Sequence, residues 1–222
     1  KFSMLFGFLP PIYRNTFLRI KNRKLLCGIY IQEIPFDPDM YPLEKLVCYK
    51  GKTSHEVFSL FSKKIAGYYN FKQEMPGFIG WNSWEYYLTS VRKEDIIETM
   101  EAARKRSEFE KITAIIIDDG WQIRPGDWDA NEKFGGSTFD TAKMIKSYGF
   151  KPGIWISPFW ISKNVKSLSP EKHCLHKRES GDLYINYGFV IPDVTNPEVE
   201  NIIISKIKDL ENDGFSIFKL DF

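Results

Sequence analysis

The chain has 222 residues, of which 43% are hydrophobic and 16% are aromatic, and its formal net charge is +2. This length and composition predict a protein with a substantial core, too long for one minimal domain and short for two large ones. So small a net charge excludes a global field that would hold the chain on nucleic acid or on an anionic membrane. Apolar runs stay shorter than the roughly 18 residues of a membrane span, so we expect no membrane contact.

Residues 1 to about 50 are predicted to form β-structure. The opening Phe2 to Leu9 is short and apolar, and we interpret it as a strand because an A-x-A-like signal cleavage site is missing. Thr16 to Gln32 alternates apolar and polar residues around a basic turn, and Lys45 to Tyr49 makes a further strand.

A helix with one apolar stripe is predicted from Ser54 to Tyr69. The stretch Gln73 to Gly77 contains Pro76 and is a plausible domain boundary. We therefore expect residues 1–76 to be organised separately from residues 77–222.

From Gly77 onward, short apolar strands alternate with helices. The predicted strands are Gly77–Trp81, Ile112–Ile117, Pro152–Pro158 and Ser216–Asp221. The predicted helices are Val91–Ser107 with Ser90 as N-cap, Thr138–Tyr148 stopped by Gly149, and a helix that starts at Asn196-Pro197 and ends at Gly214. Strands joined by helices imply a parallel sheet, which a doubly wound fold and a (β/α)8 barrel both satisfy.

The positions of polar and aromatic residues favour the barrel. The residues at or near the C-terminal ends of predicted strands are Trp81, Asp118, Asp119, Trp155 and Asp221. Barrel enzymes carry their catalytic groups at these ends, and the G-x-G-x-x-G turn of a Rossmann fold is missing after the first strand. The first three strand ends are evenly spaced, as in a barrel of about 250 residues. A longer interval before Asp221 predicts an insertion from about Phe159 to Thr195.

Strand alternation places Lys219 and Asp221 on one face of the last strand and predicts that Trp155 shares the barrel mouth with them. A buried lysine two residues before an aspartate would favour an ionised carboxylate, as a nucleophile requires. A surface ion pair at a frayed strand end fits the spacing equally well. The sequence alone therefore leaves both interpretations open.

Asp118 and Asp119 are a pair of carboxylates at a strand end, followed by Gly120. Adjacent residues alternate sides, so both carboxylates face one site only if the backbone turns there, which Gly120 allows. Such acceptors suit the hydroxyl groups of a sugar. Strand-end capping and metal ligation are the alternatives that the pair alone does not exclude.

The three cysteines, Cys27, Cys48 and Cys174, are odd in number and scattered. This pattern favours reduced thiols and a cytoplasmic protein. His173, Cys174 and His176 could suggest a metal site, but one short cluster without a partner pair is more typical of a loop with incidental ligands. The sequence therefore predicts neither a metal nor a cofactor.

Five motifs occur in order at barrel spacing. They are Gly80–Trp84, Ile117–Gln122, Gly126–Trp128, Gly149–Phe159 and Phe218–Phe222. Together they resemble glycoside hydrolase family 36, which contains α-galactosidases and raffinose-synthase-type galactosyltransferases. The resemblance covers roughly residues 77–222 and implies the first half, about four βα units, of a (β/α)8 catalytic barrel. Residues 1–76 more faintly resemble the end of the family's N-terminal β-sandwich, followed by a linker helix.

The resemblance also implies roles for individual residues. Asp118 and Asp119 correspond to the pair that binds galactose hydroxyls, and Trp81 and Trp155 to residues that line the sugar subsite. The implied substrates are α-galactoside oligosaccharides.

Asp221 corresponds to the family's catalytic nucleophile, and Lys219 to a residue that contacts substrate beside it. The implied mechanism is double displacement with retention of configuration. The family's general acid/base is an aspartate on a later strand, beyond Phe222, so we expect this chain to be truncated before it. The expected protein partners are a missing C-terminal half or further copies of this chain in a homo-oligomer. A galactosyltransferase and an inactive sugar-binding fragment or subunit are the alternatives.

Overall fold

The structure is a computed structural model that describes residues 2–10, 15–30, 44–70, 77–174, 180–183 and 185–222. The chain divides into two compact units, Lys1–Pro76 and Gly77–Phe222. Residues 73–76 of the expected boundary and His176 of the weighed metal cluster lie outside the described residues.

The first unit combines antiparallel strand pairs with one helix. Its strands are β1 (Ser3–Leu9), β2 (Thr16–Lys21), β3 (Lys24–Ile29) and β4 (Lys45–Gly51), and its helix is α1 (Ser54–Tyr68). β1 pairs with β4, and β2 pairs with β3. The turn between β2 and β3 uses Asn22 and Arg23 at positive φ, the backbone conformation that a two-residue hairpin turn of this type requires. The predicted basic hairpin is therefore confirmed over residues 16–29.

The second unit alternates strands and helices. Its strands are β5 (Ile79–Asn82), β6 (Ile112–Ile117), β7 (Gln122–Arg124), β8 (Asp127–Ala130), β9 (Lys151–Ile156), β10 (Ile161–Ser162), β11 (Phe189–Val190) and β12 (Ile217–Leu220). Its α-helices are α2 (Trp84–Tyr87), α3 (Lys93–Lys105), α4 (Thr138–Ser147), α5 (Pro170–His173) and α6 (Pro197–Asp213). Short 3-10 turns cover Leu88–Ser90, Ser107–Phe109 and Glu132–Phe134.

β5, β6, β9 and β12 form one parallel sheet in which spatial order follows chain order. This arrangement confirms the predicted parallel α/β organisation. Two antiparallel pairs extend beyond the strand ends, β7–β8 after β6 and β10–β11 within the predicted insertion after β9.

The main core of this unit lies between the parallel sheet and helices α3, α4 and α6. Ile115 and Ile117 of β6 and Ile154 and Ile156 of β9 are buried in it. The helices contribute Ile96, Met100, Ala142, Ile145, Val199, Ile203 and Leu210. Burying each large aliphatic side chain stabilises the fold by about 1.5–3 kcal/mol. Strand side chains alternate between the two faces of the sheet, so the residues next to these isoleucines along each strand point to the face opposite this core.

The helix boundaries confirm most of the capping predictions and correct one. Asn196 caps α6 by accepting the Glu198 N–H, and Gly214 ends this helix at φ 113°. Ser90, however, is not the N-cap of α3. It lies in a 3-10 turn where its hydroxyl donates to the Tyr87 carbonyl, and α3 begins after Arg92.

No helix within the described residues combines the length and apolar character that crossing a bilayer requires.

Candidate active site

Polar side chains gather at the C-terminal ends of the parallel strands, on the sheet face opposite the helices. The strand register pairs Trp155 with Lys219. Asp118 directly follows β6, and Asp221 extends β12 by donating its N–H to the Ile156 carbonyl at 3.1 Å. Asp118, Asp119, Trp155, Lys219 and Asp221 all line one cleft of about 300 Å³.

The turn after β6 brings both adjacent carboxylates to this cleft. Gly120 adopts φ +116°, and a Cβ there would lie 2.5 Å from the Thr89 carbonyl oxygen, so a side chain would be both strained and blocked. The Asp118 N–H donates to the hydroxyl of buried Ser83 at 2.9 Å, and the Asp119 N–H donates to Asp118 Oδ1 at 2.9 Å. The turn that the sequence allowed at Gly120 is thus present.

Asp118 is the most tightly held carboxylate of the cleft. Its side chain is almost fully buried, and its Oδ2 lies 2.7 Å from Lys219 Nζ and accepts the amide of Asn82 at 2.7 Å. Lys219 Nζ lies 3.9 Å from Asp221 Oδ2. Lys219 therefore lies between two carboxylates and makes its shorter contact with Asp118.

Asp221 is oriented by the indole of Trp155. Trp155 Nε1 donates to Asp221 Oδ2 at 3.0 Å, and the Trp155 carbonyl accepts the indole N–H of Trp121 at 2.8 Å. The residue Trp155 is 2% exposed, whereas the side chain of Asp221 is 41% exposed. Asp221 is consequently an accessible carboxylate whose direction is set by a rigid buried donor.

Asp119 has a different environment. Gln122 Nε2 donates to Asp119 Oδ1 at 2.8 Å. Burial raises the pKa of Asp119 above its ordinary value, and the charge of Asp118 adds to this shift. Hydrogen bonds from Gln122 and from the Gly120 backbone, together with the charge of Lys133, oppose it.

Aromatic side chains form the walls of the cleft. Trp84, Trp160, Phe189 and Phe222 line it together with Trp155. The rings of Trp160 and Phe189 stack with centroids 4.0 Å apart, and Trp160 lies 4.3 Å from Phe222. The insertion after β9 thus contributes part of the wall, which is a setting suited to a ligand with apolar faces.

Trp81 is placed elsewhere, which corrects the expectation that it lines the sugar subsite. Its ring packs edge-on against Tyr87 at 6.3 Å and lines a separate cavity of about 550 Å³ beside α3. Trp81 and Asn82 point to opposite faces of β5, and it is Asn82 that reaches Asp118. Trp84, whose N–H donates to Asn82 Oδ1 at 2.8 Å, is the tryptophan of this motif that lines the cleft.

Sequence reasoning assigned no role to Asn82, Trp84, Gln122, Trp160 or Phe189. Applying strand alternation to β5 would have selected Asn82. The others depend on turns and hairpins beyond the strand ends, for which the sequence carries no periodic signal.

No set of three His, Cys, Asp or Glu side chains within the described ranges is arranged to hold a metal ion. His173 Nδ1 accepts the Ser169 N–H at 3.0 Å, and its Nε2 lies 3.3 Å from Glu198 Oε2. This histidine therefore links α5 to the first turn of α6.

The melibiase family model matches residues 48–222. The chain belongs to the melibiase family. The predicted resemblance to glycoside hydrolase family 36 is thereby confirmed.

Individual relatives agree with this assignment. The bifunctional α-galactosidase/sucrose kinase AgaSK of Mediterraneibacter gnavus is 31% identical over 91 residues, which are 37% of this chain and 9% of that protein. The α-galactosidase TtGalA of Thermus thermophilus, solved with stachyose, is 21% identical and has a TM-score of 0.71, covering 100% of this chain and 45% of that one. The family 36 α-galactosidase AgaA of Geobacillus stearothermophilus is 23% identical and has a TM-score of 0.57, covering 66% of this chain and 21% of that one. The chain thus spans less than half the length of these relatives.

Proposed function

We propose that this melibiase-family chain carries the nucleophile and galactose-binding part of a retaining α-galactosidase. The observation that carries the proposal is the cleft in which accessible Asp221, oriented by Trp155, lies beside Lys219 and the Asp118–Asp119 pair. A carboxylate nucleophile at a strand end is one of the two carboxyl groups that a retaining glycosidase requires, and the buried acceptors beside it suit the hydroxyl groups of a sugar.

In this proposal Asp221 attacks the anomeric carbon, and the bond between that carbon and the glycosidic oxygen breaks. The leaving sugar departs with that oxygen, which the acid/base protonates. Water then resolves the covalent β-galactosyl enzyme, and the configuration is retained overall. Retaining enzymes place the second carboxyl about 5–5.5 Å from the nucleophile. The family resemblance locates that acid/base on a later strand, so the proposal assigns it to none of the described carboxylates.

Asp118 and Asp119 accept hydrogen bonds from hydroxyl groups of the galactosyl unit. Lys219 contacts the substrate and balances the negative charge of Asp118. Trp155 lines the subsite and directs Asp221. The aromatic wall of Trp84, Trp160 and Phe189 suits the rest of an oligosaccharide. Stachyose and raffinose, present in solved relatives, are the substrates we propose to test.

The proposal includes the architecture around the site. Residues 77–222 would form the first half of a (β/α)8 barrel, and residues 1–76 the end of an N-terminal β-sandwich domain with its linker helix. The packing of all three crossover helices into one core on a single sheet face supports the barrel, because doubly wound sheets carry helices on both faces.

The test uses the full-length protein and an aryl α-galactoside. Wild type should release α-galactose first, as followed by NMR, because two displacements retain configuration. Asp221→Gly should lower kcat by several orders of magnitude, each decade being about 1.4 kcal/mol of barrier. Added azide should restore part of the turnover and yield β-galactosyl azide.

Asp182→Gly, which removes an exposed carboxylate outside the cleft, is the control and should keep wild-type kinetics. Initial release of β-galactose by the wild type would exclude double displacement. Transfer of galactose to sucrose in preference to water would instead assign the site to a galactosyltransferase.

A further inference from the structure

Gln122 is a buried amide at the edge of the cleft that the proposed mechanism has not used. It begins β7 and is 4% exposed. Its backbone is fixed by Asn131, whose side-chain amide donates to the Gln122 carbonyl at 3.0 Å and to the Gly120 carbonyl at 2.8 Å. The β7–β8 hairpin therefore holds Gln122 rigidly against the turn that carries Asp119.

The amide of Gln122 has one satisfied end and one unsatisfied end. Its Nε2 donates to Asp119 Oδ1 at 2.8 Å, whereas its Oε1 is buried and accepts no hydrogen bond from the described residues. Buried polar atoms normally find partners. A flipped amide would place Oε1 against the carboxylate of Asp119, so that two acceptors would face each other. The negative charge of Asp119 therefore sets the orientation of the amide and leaves Oε1 without a hydrogen-bond donor among the described residues.

Asp119 needs this donor because its surroundings disfavour the ionised form. Burial and the neighbouring charge of Asp118 raise its pKa, and the hydrogen bond from Gln122 opposes them. The other charged groups nearby are Lys133, which acts on Asp119 from the 3-10 turn after β8, and Lys219 and Asp221, which line the same cleft.

We propose that Gln122 is a positioning residue whose amide fixes the ionised carboxylate of Asp119, so that its second oxygen accepts a substrate hydroxyl. This inference rests on the proposed function, in which Asp119 binds the galactosyl unit. Gln122 itself does not touch the reacting atoms.

Two substitutions of similar size test this role in opposite directions. Gln122→Met removes the donor, so the pKa of Asp119 should rise further and kcat/KM should fall most at acidic pH. Gln122→Glu can supply a donor only while the pair of carboxyls shares a proton, so kcat/KM should fall most at alkaline pH, where both ionise and repel. At neutral pH the Met variant should lose about 10- to 100-fold in kcat/KM, mainly through a higher KM.

Arg124→Met, on the same hairpin, is the matched control because Arg124 contacts the Asn164 carbonyl and Asp127 rather than Asp119. It should leave the pH profile unchanged. If the Gln122 variants had lower melting temperatures but the same pH dependence of kcat/KM as the wild type, Gln122 would have only a structural role and the inference would be overturned. A wild type that turns over no α-galactoside would reject the proposed function as well, whereas an active wild type with unchanged Gln122 variants would reject this inference alone.

Discussion

Trp155 illustrates how a single side chain can both line the cleft and orient a carboxylate within it. At 2% exposure its ring offers little open face for stacking, while its indole N–H holds Asp221 Oδ2 at 3.0 Å. The family resemblance implies that Trp155 lines the sugar subsite, and the structure adds an orienting contact with Asp221. The other carboxylate oxygen of Asp221, Oδ1, accepts the Phe222 N–H at 3.1 Å, so both oxygens of this carboxylate are held in direction.

Trp155→Phe should separate these roles, because phenylalanine keeps an aromatic ring and removes the donor. We expect kcat on an aryl α-galactoside to fall about 10- to 100-fold, as the loss of a hydrogen bond to a charged group costs about 1.5–3 kcal/mol. KM should change little. Steady-state kinetics of the full-length protein measure both constants.

Trp128→Phe is the matched control, because Trp128 is also buried and its Nε1 has no hydrogen-bond partner among the described residues. That variant should retain wild-type kcat. A Trp155→Phe variant with normal kcat and a lower melting temperature would show that Trp155 acts as a core residue.

The first turn of α3 shows how capping determines where an element begins. Asp95 accepts the Arg92 N–H at 2.8 Å and pairs with the Arg92 guanidinium at 3.0 Å. Hydrogen bonds from Arg92 hold the pKa of Asp95 below its ordinary value. A carboxylate with a lowered folded-state pKa stabilises the fold above its unfolded-state pKa, and this contribution is lost as pH falls through the folded-state value.

Asp95→Ala should lower the free energy of unfolding by about 1 kcal/mol at pH 7, the usual size of a lost helix cap. The difference from wild type should shrink as pH is lowered through the acidic range where Asp95 takes up a proton. Ser90→Ala serves as the control and should have little effect, because Ser90 does not cap α3. Thermal unfolding at pH 7 and in acid measures both variants, and equal destabilisation at the two pH values would contradict the assignment.

Sequence patterns predicted the elements better than the site. Ile112–Ile117 was predicted with the bounds it has, because a β-branched run ends at a carboxylate turn. Asn196 and Gly214 marked both ends of α6, because cap residues carry local signals. Trp81 was expected to line the sugar subsite from its motif position alone, whereas the pleat of β5 turns it toward the cavity beside α3.

Gln122 was missed for another reason. Its contact with Asp119 depends on the short β7–β8 hairpin, and strands of three or four residues leave no periodicity in the sequence. Trp160 and Phe189 stack although nearly the whole insertion separates them along the chain. Contacts between loops of this kind follow from the folded backbone rather than from any local pattern.

At the scale of the whole molecule, the region that matches the family model, residues 48–222, contains a parallel sheet whose two end strands are open among the described strands. β5 and β12 occupy the two ends of the parallel sheet, and each pairs with one neighbour among the described strands. Leu220 and Phe222, at the end of β12, are 55% and 64% exposed. An unpaired apolar edge favours pairing with another chain.

The 222-residue polypeptide expressed alone should therefore self-associate and fail to hydrolyse melibiose. Asp221 follows an edge strand, and positioning errors of about 1 Å can cost 10²-fold in rate. The proposed mechanism assigns the acid/base to none of the described carboxylates. Natural galactosides need a protonated leaving group and a nitrophenyl galactoside needs it less, so under this proposal trace turnover is expected only for the aryl substrate. Size-exclusion chromatography with light scattering and a melibiose assay test both points. A monomer with robust melibiose hydrolysis would require an acid/base within these 222 residues.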